Sequence, residues 1–344
     1  MIKSLRDLAV NHGPVLVFGA GGGGDVVGAL HVYNRLKELG SQVYLGALVW
    51  ERYVVDPHPG PLPLVSFFDV EPISETAAIG RGESVAYRYG REIKPQVVRI
   101  AEALGIEVVL LDGSRGGEGL ASGLKSAVDY LEAKSIVAVD VGGDILAKGN
   151  EEGLRSPLAD SLSLYALHKA GETGVALLLA VHAPGADGEL DPEQVYYYTS
   201  LIARDNGLVE TFGLNRSDIE ILEKIRGKVV TEASAIPVDA FKGYYGEKTI
   251  RNGTRKVKVT PCSTVTFILD GEVAYKHSET APLMEGTKHI GEASRRLNYK
   301  CIYTEYDLEK DIAAKLEEGF SVDDIDVEEL TRVGKARVRK MCGS

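Results

Sequence analysis

The chain has 344 residues, of which 44% are hydrophobic and 26% are charged, and its formal net charge at pH 7 is −11. This length suffices for one large α/β unit or for two domains, and the composition is that of an ordinary globular protein. The negative charge argues against a nucleic-acid partner, which requires a basic face to replace the counterions of the phosphates. The net negative charge is still compatible with a small anionic ligand, because glycine-rich turns and single arginines create local positive potential.

The cysteines and the apolar runs indicate the compartment. Cys262, Cys301 and Cys342 are far apart and odd in number, so we expect neither a disulfide framework nor a Cys-x-x-Cys metal site, and a reducing cytoplasm fits best. No apolar run reaches the roughly 18 to 20 residues of a membrane span, and the first residues lack the apolar core of a secretory signal. We therefore expect a cytoplasmic protein with no membrane partner, and a homo-oligomer stays open.

The clearest chemical signal is a glycine-rich stretch that follows an apolar run. The run at 15–18 predicts a buried strand, and the apolar spacing at 26–39 predicts a helix that ends at Gly40. The first N–H groups of such a helix lack partners and attract phosphate or carboxylate. The stretch between them contains Gly19, Gly21, Gly22, Gly23, Gly24 and Asp25.

These glycines satisfy the G-x-G-x-x-G pattern in its proper context, between a strand and a helix. The pattern indicates a bound nucleotide or phosphate. Glu51, after the second apolar run, would be the acid that binds a ribose in an NAD(P) site. Asp25 is expected either to cap the helix or to hold a metal ion that bridges to phosphate. The alternative is a tight turn whose glycines serve only the packing of the helix on the sheet.

Apolar runs and helical patterns alternate along the first 207 residues. Runs without internal alternation are typical of parallel strands that are covered on both faces. We therefore predict an α/β fold with a doubly wound, mostly parallel, Rossmann-like sheet and helices on both faces. Residues 64–90 have no clear pattern, except that 84–89 are expected to open a helix. The predicted strands lie at 15–18, 43–49, 106–111, 136–141 and 175–181, and the predicted helices lie at 1–13, 26–39, 95–104, 120–133, 156–171 and from 191 onward.

The composition changes after about residue 240. Before this point, Ser217 and Glu220 form a capping-box pattern at the start of a helix. We predict a Rossmann-like ligand-binding domain at 1–240 and a smaller α+β extension at 241–344 that packs on it and ends in a basic helical tail. Further short strands are predicted at 229–234, 256–259, 265–269, 273–275 and 299–303, with a hairpin turn at 270–271.

Four of the predicted strands end in glycine-rich turns that contain acids. The carboxyl ends of parallel strands open on one edge of a sheet, where ligands bind in the crevice at the change of strand order. We therefore expect these turns to meet around a single site that accepts anions. Besides the first glycine stretch, the turns contain Asp112, Gly113, Arg115 and Glu118, then Asp140, Gly142, Gly143 and Asp144, and then His182, Asp187 and Glu189.

The residue types suggest roles at this site. Mg²⁺ prefers one or two carboxylates together with phosphate oxygens and water, and Asp112, Asp140 and Asp144 are the acids best placed to provide them, with Asp140 and Asp144 as the expected ligands. Asp144, Asp112 and His182 are the catalytic candidates, with His182 moving a proton. Phosphate would bind at the glycine turns, and Arg115 or Lys148 would neutralise developing charge. For each acid alone, a helix cap or a turn is the commoner role.

Three stretches resemble the archaeal and bacterial family called domain of unknown function 1152. They are GAGGGGDVVGA at 19–29, the segment from Trp50 to Pro57 with the prolines that follow it, and VDVGGD at 139–144. The resemblance covers most of the chain, at least from Pro14 to about Asp239. It implies a Rossmann-like fold, and it assigns no reaction and no catalytic residue.

Three functions are compatible with these residues. The first is an enzyme that binds a nucleotide such as ATP, or a phosphorylated metabolite, and performs a Mg²⁺-assisted phosphoryl or nucleotide-dependent transfer. The Walker pattern G-x-x-x-x-G-K-[ST] does not occur in the sequence. The second is an NAD(P)-dependent oxidoreductase, with Glu51 on the ribose. The third is a nucleotide-binding regulatory protein without turnover.

Overall fold

The computed structural model describes residues 2–251 and 253–343. Within these ranges, ten strands form one mixed, mostly parallel sheet and two more form a separate hairpin. In chain order the strands are β1 (Val15–Gly19), β2 (Val43–Leu48), β3 (Phe67–Pro72), β4 (Ala77–Arg88), β5 (Arg91–Ile93), β6 (Val108–Leu111), β7 (Ser135–Val141), β8 (Ala176–His182), β9 (Leu208–Gly213), β10 (Gly246–Ile250), β11 (Arg255–Val259) and β12 (Val265–Asp270).

The same ranges contain twelve α-helices. No helix among the described residues is long and apolar enough to cross a membrane. The helices are α1 (Leu5–Asn11), α2 (Asp25–Glu38), α3 (Gln96–Leu104), α4 (Gly116–Tyr130), α5 (Pro157–Ala170), α6 (Pro192–Arg204), α7 (Arg216–Ile225), α8 (Ile236–Phe241), α9 (Gly271–His277), α10 (Ile290–Asn298), α11 (Glu305–Glu317) and α12 (Val327–Met341).

The sheet has a parallel centre and antiparallel edges. Its strand order is β3-β4-β6-β2-β1-β7-β8-β12-β9, and β5 pairs with β4. The pairings among β6, β2, β1, β7 and β8 are parallel, whereas the pairings of β3, β4, β5, β9 and β12 are antiparallel. The chain therefore has an α/β fold, as predicted.

Helices cover both faces of the parallel centre. Leu16 and Phe18 of β1 pack into one apolar core with residues of α4 and α5, whereas Val15 and Val17 pack into another with residues of α2 and α3. All four side chains are fully buried, and burying each stabilises the fold by roughly 1.5 to 3 kcal/mol. Burial on both faces explains why β1 has no polar alternation in its sequence.

The predicted helix boundaries are largely confirmed. Gly40 follows the end of α2 and Gly105 follows α3, both with positive φ, at 88° and 66°, a conformation that glycine adopts without strain. Asp191 caps α6 and Pro192 begins it. The cap of α7 is shifted, because Asn215 rather than Ser217 accepts the first amide hydrogen bond of the helix.

Five local predictions are wrong. Residues 229–234 contain only a 3₁₀ turn, 299–303 form no strand, and 84–88 belong to β4 rather than to a helix. The predicted hairpin turn at 270–271 is the start of α9, and the predicted strand at 273–275 lies inside that helix. Asp270 accepts hydrogen bonds from the backbone N–H groups of Glu272 and Val273, both at 3.0 Å, so its carboxylate caps a helix instead of forming a turn between strands.

Two features of the C-terminal part differ from what the cysteine count and the predicted separate extension indicate. Cys301 and Cys342 form a disulfide with a Cα separation of 5.8 Å, although the cysteine count indicated no disulfide framework. β12 lies inside the main sheet between β8 and β9. The division of the chain at residue 240 stays a prediction.

Candidate functional site

A cavity of about 410 Å³ opens at the carboxyl ends of the parallel strands. Its walls come from the turns after β1, β2, β7 and β8, from the first turn of α5, from the β10–β11 hairpin, called here the hairpin arm, and from α11 and the start of α12. The predicted convergence of glycine and acid turns is therefore present for three of the four strands. Asp25, Asp144 and Asp187 all line this cavity.

The glycine loop, residues 19–24, forms one wall. Gly21, Gly22 and Gly24 line the cavity. The backbone N–H of Gly21 donates to Asp25 Oδ2 at 2.7 Å, and the N–H of Gly23 donates to the carbonyl of Trp50 at 2.7 Å. Asp25 therefore does not cap α2, because its carboxylate turns back and holds the loop.

Two of the predicted loop glycines serve packing instead of lining the cavity. A Cβ at Gly19 would overlap the backbone of Val26, and a Cβ at Gly23 would lie 2.7 Å from Oε1 of Glu51. Gly19 accepts no side chain because the overlap is with backbone, whereas a side chain at Gly23 would have to displace the Glu51 carboxylate. The packing interpretation thus holds for these two glycines and does not exclude a ligand at the other three.

The first acidic triad consists of Asp25, Asp140 and Asp160. One carboxylate oxygen from each lies within 4.8 Å of the others. Asp140, the penultimate residue of β7, accepts a hydrogen bond from the N–H of Gly143 at 2.7 Å. Asp160 lies in the first turn of α5 and is 4% exposed, and its Oδ2 has no hydrogen-bond partner.

The second acidic triad consists of Asp144, Asp187 and Glu189, with the same spacing of at most 4.8 Å. Asp187 is 5% exposed and its Oδ2 also lacks a partner. Glu189 differs from the other members, because its carboxylate already accepts from Arg255 Nη1 at 2.9 Å and from the hydroxyl of Ser156 at 2.8 Å. The second triad is therefore partly neutralised, whereas the first is not.

Burial makes ionisation of these acids unfavourable. It raises the pKa of Asp140 to about 7 and that of Asp187 to about 8, and the neighbouring carboxylates add to the increase. The pKa values of Asp25 and Asp160 are raised well above normal by burial and by the charge of Asp140. Burial also opposes ionisation of Glu189, but Arg255 and the hydrogen bonds from Ser156 and Arg155 together outweigh it and lower the pKa. The site thus concentrates carboxyl groups in a place where water does not stabilise their charged form.

Four arginines, called here the arginine group, line the same cavity: Arg52, Arg155, Arg251 and Arg255. Burial lowers the pKa of Arg52 to about 10, and the charge of Arg251 acts in the same direction. Nε and Nη1 of Arg251 are buried without a hydrogen-bond partner, and Nη1 lies 3.9 Å from the Glu232 carboxylate. The cavity therefore combines an acidic part with a cationic part.

Sequence reasoning missed several of these side chains because they lie outside the strand-end turns. Asp160 is an isolated charge in the otherwise apolar start of α5, and that isolation was the available signal. Glu305 and Glu309 line the cavity with the spacing i, i+4 on one face of α11. Burial raises the pKa of each to about 8. Arg251 and Arg255 belong to the distant hairpin arm, and nothing local in the sequence connects them with the site.

The turn after β6 does not contribute to the cavity lining. Asp112 accepts hydrogen bonds from the N–H groups of Leu64 at 2.9 Å and Ser114 at 2.7 Å. Gly113 packs near Leu48, where its Cβ would lie 2.9 Å away. Arg115 is exposed and forms an ion pair with Glu75. Asp112, Gly113 and Arg115 therefore stabilise this turn, and the structure does not bring them to the other predicted residues.

His182 also lies away from the cavity lining. It is 1% exposed, its Nδ1 is 2.9 Å from the hydroxyl of Thr266, and its ring lies 4.0 Å from that of His31. Burial, with a contribution from His31, lowers its pKa well below the usual value. His182 is thus a neutral, packed imidazole that contacts no cavity, which does not fit the expected proton transfer.

The remaining predicted residues support the site indirectly. Gly142 and Gly143 have φ values of 125° and 97°, which allow the chain to reverse after β7 so that Asp140 and Asp144 both face the acidic cluster. These two glycines therefore position the two aspartates and do not themselves line the cavity. Lys148, predicted to neutralise developing charge, donates a hydrogen bond to the carbonyl of His277.

Glu51 lines the cavity, but its carboxylate accepts hydrogen bonds from the first residue of α3. Its Oε1 accepts the N–H of Gln96 at 2.9 Å, and Oε2 lies 3.4 Å from the side-chain amide of the same residue. Burial raises its pKa to about 7. Its carboxylate thus binds the start of a helix, which is not the free acid that a ribose-binding role requires.

Comparison with known proteins gives one finding. A family model described as Protein of unknown function (DUF1152) matches residues 16–313. No curated protein and no solved structure matches the chain. The matched residues include the glycine loop and both acidic triads, so the predicted resemblance is confirmed. The chain belongs to the DUF1152 family.

Proposed function

We propose that this DUF1152 protein is an enzyme that binds a nucleotide or a phosphorylated metabolite and catalyses a Mg²⁺-assisted phosphoryl or nucleotide-dependent transfer. The observation that carries this proposal is one cavity that combines the glycine loop, two buried acidic triads and the arginine group. Acids without counter-charge favour a cation, and clustered arginines favour phosphate oxygens.

The strand order supports a Rossmann-like, doubly wound sheet as the finer description of the fold. Counted along the chain, the five parallel strands have the order 3-2-1-4-5, which is the order of the dinucleotide-binding sheets. Ligands of such sheets bind where the order reverses, between the first and the fourth strand. Asp25 follows the first of these strands and Asp140 ends the fourth, and the two meet in the first acidic triad.

The roles of the residues follow from their surroundings. Asp140, Asp144 and their neighbours in the triads would hold Mg²⁺, which when bound polarises a phosphoryl oxygen and stabilises the charge that develops there. Gly21, Gly22 and Gly24 leave room for a ligand to approach the backbone. Arg251 has unpaired donors with which it would bind phosphate oxygens.

Two other functions have weaker support. An NAD(P)-dependent oxidoreductase would need Glu51 free, and its carboxylate is bound to Gln96. A regulatory protein without turnover would use the same cavity and differs only in the absence of product. Neither has a specific structural observation in its favour.

A ligand panel tests the proposal. Thermal unfolding of the protein is measured with ATP, GTP, NAD, NADP and sugar phosphates, each with and without Mg²⁺, and product formation is followed over long incubation. A ligand at one hundred times its Kd adds about 2.7 kcal/mol to the free energy of unfolding. Stabilisation by a nucleoside triphosphate or sugar phosphate that requires Mg²⁺, together with product, supports the proposal. Stabilisation by NAD without metal, or binding without product, contradicts it.

A further inference from the structure

We propose that the cavity binds two divalent cations side by side, one in each acidic triad. The catalytic use of these cations rests on the proposed function, whereas their binding is argued from geometry alone. Sequence reasoning assigned a single metal to Asp140 and Asp144, which the structure places in different triads. The second cation and the participation of Asp160 and Asp187 are therefore new.

Each triad offers three oxygen donors to one ion. The three donors of either triad lie within 4.8 Å of one another, a spacing from which small side-chain shifts would let one ion coordinate all three, with water or substrate oxygens completing its shell. The two sets share no residue, and they are contiguous because Asp140 at the end of β7 and Asp144 just after it flank the same short turn. Carboxylate-only donors favour Mg²⁺, Mn²⁺ or Ca²⁺ over metals that prefer nitrogen or sulfur ligands.

An unpartnered buried oxygen in each triad points to a ligand. Oδ2 of Asp160 in the first triad and Oδ2 of Asp187 in the second are buried without any hydrogen-bond partner. The two residues are 4% and 5% exposed. A buried polar atom that lacks a partner destabilises the fold, and a buried charge that lacks one does so more strongly. A cation in each triad would give both oxygens the partner that the protein does not supply.

The charges of the cluster lead to the same conclusion. Among the described residues, the ion pairs include none with Asp25, Asp140, Asp144, Asp160 or Asp187. Glu189 alone of the two triads has a basic partner, Arg255. Because Glu189 is already neutralised, the second triad has less free negative charge, and we expect it to bind its cation more weakly than the first.

Two adjacent cations narrow the class of substrate. A pair of divalent ions stabilises both the attacking and the leaving oxygen of a phosphoryl displacement. The arginine group on the remaining wall would bind phosphate oxygens that do not contact metal. The substrate class that fits both features is a nucleoside triphosphate or another chain of two or more phosphates.

Counting bound Mn²⁺ tests the inference on the full chain, by calorimetric titration of chelator-treated protein at pH 8 and by the paramagnetic signal of the bound ion. We expect two ions per chain for the wild type. Asp160→Asn and Asp187→Asn should each retain one ion and weaken the other at least tenfold. The control Asp112→Asn changes a buried carboxylate outside the cavity and should retain both. Far-ultraviolet circular dichroism checks that each variant folds.

Each result decides between the two proposals. A single ion in the wild type overturns the present inference and leaves the proposed function intact. Two ions in a protein that no phosphate compound stabilises uphold the inference and contradict the proposed function. No bound ion contradicts both. Two ions that persist with unchanged affinity in Asp160→Asn and Asp187→Asn overturn the assignment of the ligands.

Discussion

Replacing Glu51 by Gln should reduce the dependence of stability on pH. The carboxylate is 5% exposed, and burial raises its pKa from 4.5 to about 7, although hydrogen bonds from Gln96 oppose the shift. Between these two values the folded state binds more protons than the unfolded state. The free energy of unfolding therefore falls as the pH rises through this window, and the contribution of Glu51 is constant above it. At about 1.36 kcal/mol per pKa unit, the full effect is about 3 kcal/mol.

Urea unfolding at pH 5 and pH 8 measures this effect. Most of the window lies between these pH values, so the wild type should lose about 2.5 kcal/mol more than Glu51→Gln on going from pH 5 to pH 8. The amide oxygen of the variant can still accept the N–H of Gln96, so the comparison isolates the charge. Glu83→Gln, at an exposed position, is the control for loss of a negative charge. An equal pH dependence in the wild type and Glu51→Gln would refute the assignment of a buried, proton-binding carboxyl.

Three further substitutions test the packing and the cavity. Gly28→Ala would drive a Cβ into the side chain of Val141 and should lower the free energy of unfolding, measured in urea, by about 1 to 3 kcal/mol. In the control Gly213→Ala the new Cβ would have its nearest neighbouring atom 3.4 Å away, so stability should change little. Equal effects of the two substitutions would contradict the packing argument. Gly22→Val should abolish stabilisation by Mg²⁺ and a nucleoside triphosphate in thermal unfolding while the protein stays folded, because this glycine lines the cavity; unchanged affinity would refute a role for the loop in binding. Arg115→Ala should leave the affinity for the nucleoside triphosphate unchanged, because the residue is exposed and lies outside the cavity. A clear loss of binding would show that Arg115 does contribute to the site.

The parallel centre of the fold could be predicted because its signals are local. β1 is an unbroken buried apolar run, α2 and α3 end at glycines with positive φ, and α6 begins at an Asp-Pro pair. The general rule that parallel strands open on one edge then predicts that Asp25, Asp144 and Asp187 lie close together.

The rest of the site could not be predicted because it depends on tertiary packing. Asp112 lies at a strand end as Asp140 does, but its carboxylate accepts hydrogen bonds from the backbone N–H groups of Leu64 and Ser114. This arrangement depends on where the distant loop that contains Leu64 packs. His182 ends β8 and turns toward Thr266, away from the cavity. Asp160 and Arg255 reach the cavity only through the docking of α5 and of the β10–β11 hairpin; the one local signal was the isolation of Asp160 in an apolar helix start, and Arg255 has none.

The position of β12 affects how the protein can be made and divided. In the sheet this strand separates β8 from β9, so the edge of β8 has its partner only after about 270 residues have been synthesised. Until then a nascent chain exposes an apolar strand edge, the kind of surface that pairs with other chains. A recombinant fragment that stops at residue 240 would keep this edge permanently open. Such a fragment is expected to aggregate, and expression of the two parts as separate proteins would therefore be a poor route to an isolated N-terminal part.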